Sequence, residues 1–91
     1  MPKLYFTRHA EEKFHELEQR GFKISREQVV DIVGKPDLID YSHFPQFIAQ
    51  RRIDSAHVLR VVFKIASDST QTIITFYIGR RKQYEKEITQ T

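Results

Sequence analysis

Apolar and polar residues change rhythm once along this chain. From Arg8 to Gly34 the apolar positions recur with a helical period, and after Pro36 they recur with the period of a strand. Ala10, Phe14 and Leu17 stand at i, i+4 and i+7, a narrow stripe that predicts a helix over about Arg8 to Arg20. Thr7 is its N-cap, although Ala10 occupies the place where a full capping box needs Glu or Gln. Gly21 suits the left-handed residue that ends a helix, with Phe22 folding back on the last turn. A second helix follows. Ser25 and Gln28 form a capping box, Ile24 and Val29 have hydrophobic-staple spacing, and Val29, Ile32 and Val33 make the inner face. Gly34 and Pro36 stop it.

Beyond Pro36, Asp37 to Tyr41 and Gln46 to Ile53 read as strands joined by the turn Ser42-His43-Phe44-Pro45. Val58 to Ile78 then reads as two long strands around Ser67-Asp68-Ser69-Thr70, rich in the β-branched and aromatic residues that pleated surfaces favour. In the first of them Leu59, Val61, Phe63 and Ile65 share a face opposite Arg60 and Lys64. In the second, Ile74, Phe76 and Ile78 alternate with Ile73, Thr75 and Tyr77. The expectation is one α+β domain over residues 1–91, two N-terminal helices packed on a mostly antiparallel four-stranded sheet, with Lys3 to Phe6 a candidate fifth strand. Phe14, Leu17, Val29, Ile32, Val33, Leu59, Val61, Phe63 and Ile65 are the predicted core. Gly79 to Glu87 is a charged tail, either a helical turn or a frayed end.

Composition narrows the chemistry. With 91 residues the chain can bury roughly 60–70% of its extended surface and needs no staple. Without cysteine there is no disulfide, thiolate metal site or cysteine nucleophile, a usage that suits the cytoplasm. No apolar run approaches the ~20 residues that cross a bilayer, and the opening MPKLYFTRHAEE lacks the apolar core of a signal peptide. Neither a P-loop, a dinucleotide fingerprint nor a nucleophile elbow occurs. Histidine spacing fits no metal site, and no cofactor is implied. The net charge of +3 permits a phosphate-rich partner.

Two groups of residues could carry function. His9 lies in the first turn of helix one, where free backbone N–H groups can hold an anion, and it shares a flank with Lys13, Glu16 and Arg20. It is either a proton-transferring or phosphate-contacting residue, or a histidine bonded back to the backbone. The second group is basic. Arg51, Arg52, Arg60 and Lys64 fall on neighbouring strands, and Arg80, Arg81 and Lys82 leave the last one. With helices over the Leu59 row, the Arg60 face would be a basic, partly concave surface near Tyr77 and Tyr84, suited to RNA by phosphate pairing and base stacking. The alternative is a solvated face whose arginines pair with Asp and Glu.

Thr7-x-His9-Ala10 opening a helix, Arg20-Gly21, Ile24-Ser25 followed by Val29 and Pro36, and the strands Leu59-Arg60-Val61-Val62 and Ile73-Ile74-Thr75-Phe76-Tyr77 together resemble a bacterial family of small domains similar to the RelE/ParE toxin superfamily. Lys13-Phe14 replaces the usual Arg-Met pair of helix one. The resemblance implies a toxin of a toxin–antitoxin system, with metal-free cleavage of messenger RNA at the ribosome as one activity. In that reading the 2′-hydroxyl attacks the adjacent phosphate; His9, Arg60 and Tyr84 would be catalytic, and Lys13, Arg52, Lys64, Arg80 and Arg81 would hold RNA. An antitoxin segment would be the protein partner. The alternatives are a non-catalytic RNA- or protein-binding module, or a ParE-like inhibitor of a protein target.

Overall fold

The computed structural model describes residues 3–85. The chain runs β1 (Leu4–Phe6), α1 (Arg8–Gln19), α2 (Arg26–Gly34), β2 (Leu38–Asp40), β3 (Phe47–Arg52), β4 (His57–Ile65), β5 (Gln71–Arg80) and the single turn α3 (Arg81–Tyr84). The strands form one sheet in the order β1-β5-β4-β3-β2. This corrects the expected architecture of two helices on a four-stranded, mostly antiparallel sheet: the described residues form five strands and three helices, and β1 pairs parallel with β5, Leu4 opposite Gln71. The physical reason is the path of the helix pair. β1 and β2 are opposite edges of the sheet, so α1 and α2 carry the chain across its whole face. No local signal sets the direction of a three-residue edge strand; docking does.

Both helix starts follow their sequence signals. The Ala10 N–H donates to Thr7 Oγ1 at 3.1 Å and the Gln28 N–H donates to Ser25 Oγ at 3.0 Å. Helix α1 ends in a Schellman motif: the Phe22 N–H donates to the Leu17 carbonyl at 2.8 Å and the Gly21 N–H to that of Glu18 at 3.0 Å. Gly21 adopts φ +93°, which glycine reaches without strain.

The core lies between the helices and one sheet face, with Ala10, Leu17, Val29, Ile32, Leu59, Val61, Ile73 and Phe76 fully buried. Two predicted core residues differ. Phe14 is half-buried at the rim, its ring 4.8 Å from that of Phe76. Ile65, at the end of β4 beside the turn, is 51% exposed. The expected face assignment in β5 also changes. Val62 opposes Thr75 while Phe63 opposes Ile73, so Ile74 is an extra residue, a β-bulge. Ile73 and Phe76 therefore both face the core, and Ile74 is only half-buried. The bulge is tied to α1, because the Thr7 hydroxyl that caps the helix also donates to the Ile74 carbonyl at 2.9 Å. Among the described residues no helix is long and apolar enough to cross a membrane.

Candidate functional site

Arg60 lies on the sheet face away from α1 and α2, opposite Gln50 of β3 and Tyr77 of β5. The Arg60 face does not present Arg60 as the accessible phosphate-binding or catalytic cation that was expected: Arg60 is only 4% exposed. Alternation correctly separates Arg60 from the Leu59 row, but it says nothing about what covers the second face. That cover is α3. A Cβ placed on Gly79 would come within 2.4 Å of the Tyr84 ring, so only glycine lets this ring lie against β5. The ring also stacks on the Arg60 guanidinium, 4.2 Å from its centroid.

Beneath that ring Arg60 is bonded on three sides. Its Nε donates to the Tyr77 hydroxyl at 2.8 Å, Nη2 to Asp40 Oδ2 at 3.0 Å, and Nη1 to Gln50 Oε1. Gln50, itself buried, donates from Nε2 to the Tyr84 carbonyl at 3.2 Å. A buried guanidinium is tolerated when its N–H groups and its charge are matched in this way. The charge is matched by Asp40, whose carboxyl is held below its usual range. The Ser42 hydroxyl and N–H bonds to Oδ1 are the main cause, and the Arg60 guanidinium adds to them.

A groove of about 720 Å³ opens beside this network, lined by Asp40, His43, Arg60, Tyr77, Gln83 and Tyr84 among others. Tyr41 stands at its rim, 64% exposed. His43, from the loop between β2 and β3, was not among the expected site residues. Its Nε2 lies 3.9 Å from Asp40 Oδ2, the oxygen that also accepts from Arg60. Sequence spacing holds a partial signal for it, since His43 in the predicted turn stands three residues after Asp40 of the predicted strand; the Asp40 contact with Arg60 spans twenty residues and has no local signature. On the other side of α3, Ser55, Ala56, His57, Arg80, Arg81, Lys82 and the carboxylate residue Glu85 line a second groove of about 590 Å³.

The expected site residues separate into three places. Arg60 and Tyr84 come together. His9 and Lys13 lie on α1, in the layer across the sheet, with His9 exposed and without a side-chain hydrogen bond or ion pair among the described residues. The basic residues scatter. Lys64 opposes Thr72 and His57 opposes Arg80, so Lys64 and Arg80 are at opposite ends of the β4–β5 pair, roughly 20 Å apart at strand rise. Arg51 turns to the helix side and pairs with Asp31 at 2.6 Å. Arg52 and Arg81 converge on Glu85, at 3.3 and 2.6 Å, and the Arg81 bond is the main reason the Glu85 carboxyl is held below its usual range. Arg80, at the end of β5, and Lys82, within α3, are exposed. Residues 86 and 87 of the expected charged tail lie outside the described residues.

No protein-family model matches the chain, and comparison with curated proteins and with solved structures finds no match. The likeness to RelE/ParE toxins therefore stands on the sequence motifs alone.

Proposed function

We propose that this domain is a toxin-like RNA-binding protein that takes a single RNA strand across α3 in the cytoplasm. Bases enter the aromatic groove and phosphates lie over the basic one. The observation that carries the reading is the adjacency of the two grooves: Tyr41, Tyr77 and Tyr84 line the first, and the exposed cations Arg80 and Lys82 line the second. Aromatic platforms beside a cationic track bind single strands without needing a particular sequence. Arg60 contributes by holding Tyr77 and Tyr84 in place rather than by clamping phosphate itself, because it is buried and three of its N–H groups are engaged. An antitoxin segment that silenced such a protein would cover the same grooves.

The test is fluorescence anisotropy of a labelled single-stranded oligoribonucleotide across a salt series. Binding should weaken with salt by about 0.7 log units per log unit of salt for each phosphate contact. Lys82→Ala should lower that slope, and Tyr41→Ala should weaken binding at every salt concentration. Affinity that is undetectable, or indifferent to salt, overturns the reading. The second reading, a non-catalytic protein-binding module or a ParE-like inhibitor, is favoured by one observation. Tyr41 and Phe44 are 64% and 77% exposed and meet the Phe47 ring edge-on in one loop. Large exposed aromatics of this kind are typical anchors of protein interfaces.

A further inference from the structure

We infer that His57 completes a phosphate-binding subsite in the groove lined by Arg80, Arg81 and Lys82, and that a proton on its ring admits the anion. Such a subsite deepens the RNA reading above by naming the contact that fixes a phosphate beside α3. Three observations carry it.

The first is placement. His57 opens β4 and stands directly opposite Arg80 of β5. Residues opposed in this way carry their side chains to the same face of a sheet, with Cβ atoms roughly 5 Å apart. Both line the groove, which α3 completes with Arg81 and Lys82. Arg81 donates from Nε to Glu85 Oε1 at 2.6 Å and from Nη1 to the Ser55 carbonyl at 2.8 Å. These bonds fix the guanidinium at the groove wall. They leave Nη2 without a hydrogen bond among the described residues.

The second is orientation. His57 Nδ1 lies 2.9 and 3.0 Å from the two carboxylate oxygens of Asp54, and the Phe22 ring meets the imidazole edge-on at 5.0 Å. Asp54 is itself held by the N–H groups of Ala56 and His57, at 2.8 and 2.9 Å. The carboxylate therefore takes the Nδ1–H, which sets the tautomer. Nε2 makes no hydrogen bond among the described residues. In the neutral ring it is an acceptor and offers a phosphate oxygen nothing; in the imidazolium it is a donor.

The third is charge. Around His57 stand Asp54 from its own turn, Arg80 from β5, and Arg81, Lys82 and Glu85 from α3. Phe22, from the link between α1 and α2, is uncharged. Glu85 is shared by Arg52 and Arg81, and Asp54 is engaged by His57. Arg80 and Lys82 have no ion pair among the described residues. The Asp54 carboxyl is held below its usual range, by the Ala56 N–H first and the His57 ring after it, so it stays ionised when the ring takes a proton. Histidine is the side chain whose ordinary charge change falls between about pH 5 and 8.

The bound group is a phosphate oxyanion, and its source is either the RNA backbone or a small free phosphate. Its oxygens accept from His57 Nε2–H, Arg81 Nη2, Arg80 and Lys82. Binding takes up a proton, so affinity rises as pH falls.

The test uses two probes whose own charge is constant over that range: sulfate, standing in for a free phosphate, and a labelled single-stranded oligouridylate. The ring protons of the four histidines are followed by NMR through an acid titration. Compared with chloride at equal ionic strength, sulfate should raise the pH at which His57 titrates. His9, His15 and His43, which lie outside the groove, should stay in place. Oligouridylate affinity should rise about 10-fold or more from about pH 8 to pH 5. His57→Gln should melt as wild type does and lose that rise. Asp54→Asn keeps an acceptor for the Ala56 and His57 N–H groups but removes the charge beside the imidazolium, and should carry the rise to lower pH. If His57→Gln does not fold, the wild-type NMR titration decides alone. If sulfate leaves His57 where chloride does, or if His57→Gln keeps the rise, the subsite is overturned, and the RNA reading still has its own test in the salt series. If sulfate moves His57 and no RNA binds, the RNA reading falls and the subsite stands as one for a small free phosphate.

Discussion

On one face of the sheet, Leu17, Ile32, Leu59 and Phe76 meet with no polar side-chain atom among them. On the other, Arg60 is closed in by Asp40, Gln50, Tyr77 and the Tyr84 ring. The first face is covered by α1 and α2, twenty-one helical residues in two amphipathic pieces of twelve and nine. The second is covered by a helix of only four residues. Apolar burial is non-directional, and any side chain of the right volume contributes to it. The Arg60 network is directional, and each member leaves a partner unmatched when removed. The contrast shows where the chain can tolerate change and where it can hold a site. The helix side supplies stability. The α3 side trades coverage for grooves on both flanks of a short element.

The largest expected effect is on the helix side. Phe76→Ala empties the centre of the core and should cost about 3–5 kcal/mol in urea unfolding. Arg60→Met should approach it, at about 3 kcal/mol, because Asp40 is left as an uncompensated carboxylate in a partly buried place. The comparison sharpens if Asp40→Asn is added to Arg60→Met. Recovery of part of the loss marks a directional network, whereas simple additivity would mean that the second face behaves like the first. Gly79→Ala should cost about 1–3 kcal/mol, since its methyl would meet the Tyr84 ring at 2.4 Å and displace α3. Near-UV circular dichroism of the tyrosines should change with it, while the core substitution Val33→Ala should leave that signal intact.

Acid should act on the α3 side first. Asp40 and Glu85 both have lowered folded-state values, the first mainly through Ser42 and the second mainly through Arg81. Their contribution is therefore fully present above the ordinary carboxylate range near pH 4. It is lost as pH falls through the lowered folded values. An acid titration of stability should show this loss, and Asp40→Asn should flatten part of it. The smallest effect is expected from Arg52→Ala, under about 0.5 kcal/mol. Its pairing with Glu85 at 3.3 Å lies near the surface, and Arg81 holds the same carboxylate at 2.6 Å.

Much of the helix side was legible because its signals are local. The Thr7 and Ser25 caps, the Gly21-Phe22 stop, and the alternation of Leu59, Val61 and Phe63 all act within a few residues of where they are written. The β5 bulge was not legible. Ile73 and Ile74 are both β-branched, and only the pairing with β4 and the Thr7 bond decides which one faces the core. Nor was the fate of the arginines, since partners such as Asp31 for Arg51 lie twenty residues away.

For the candidate site, local sequence determined that Arg60 and Tyr77 stand on the face opposite the Leu59 row, because a strand alternates its side chains whatever surrounds it. That α3 folds back over them, that Gly79 admits the Tyr84 ring, and that Asp40 links Arg60 to His43 were decided only by tertiary structure. Those contacts join separate elements, and the groups that satisfy a buried charge are chosen by where the chain brings them rather than by their spacing along it.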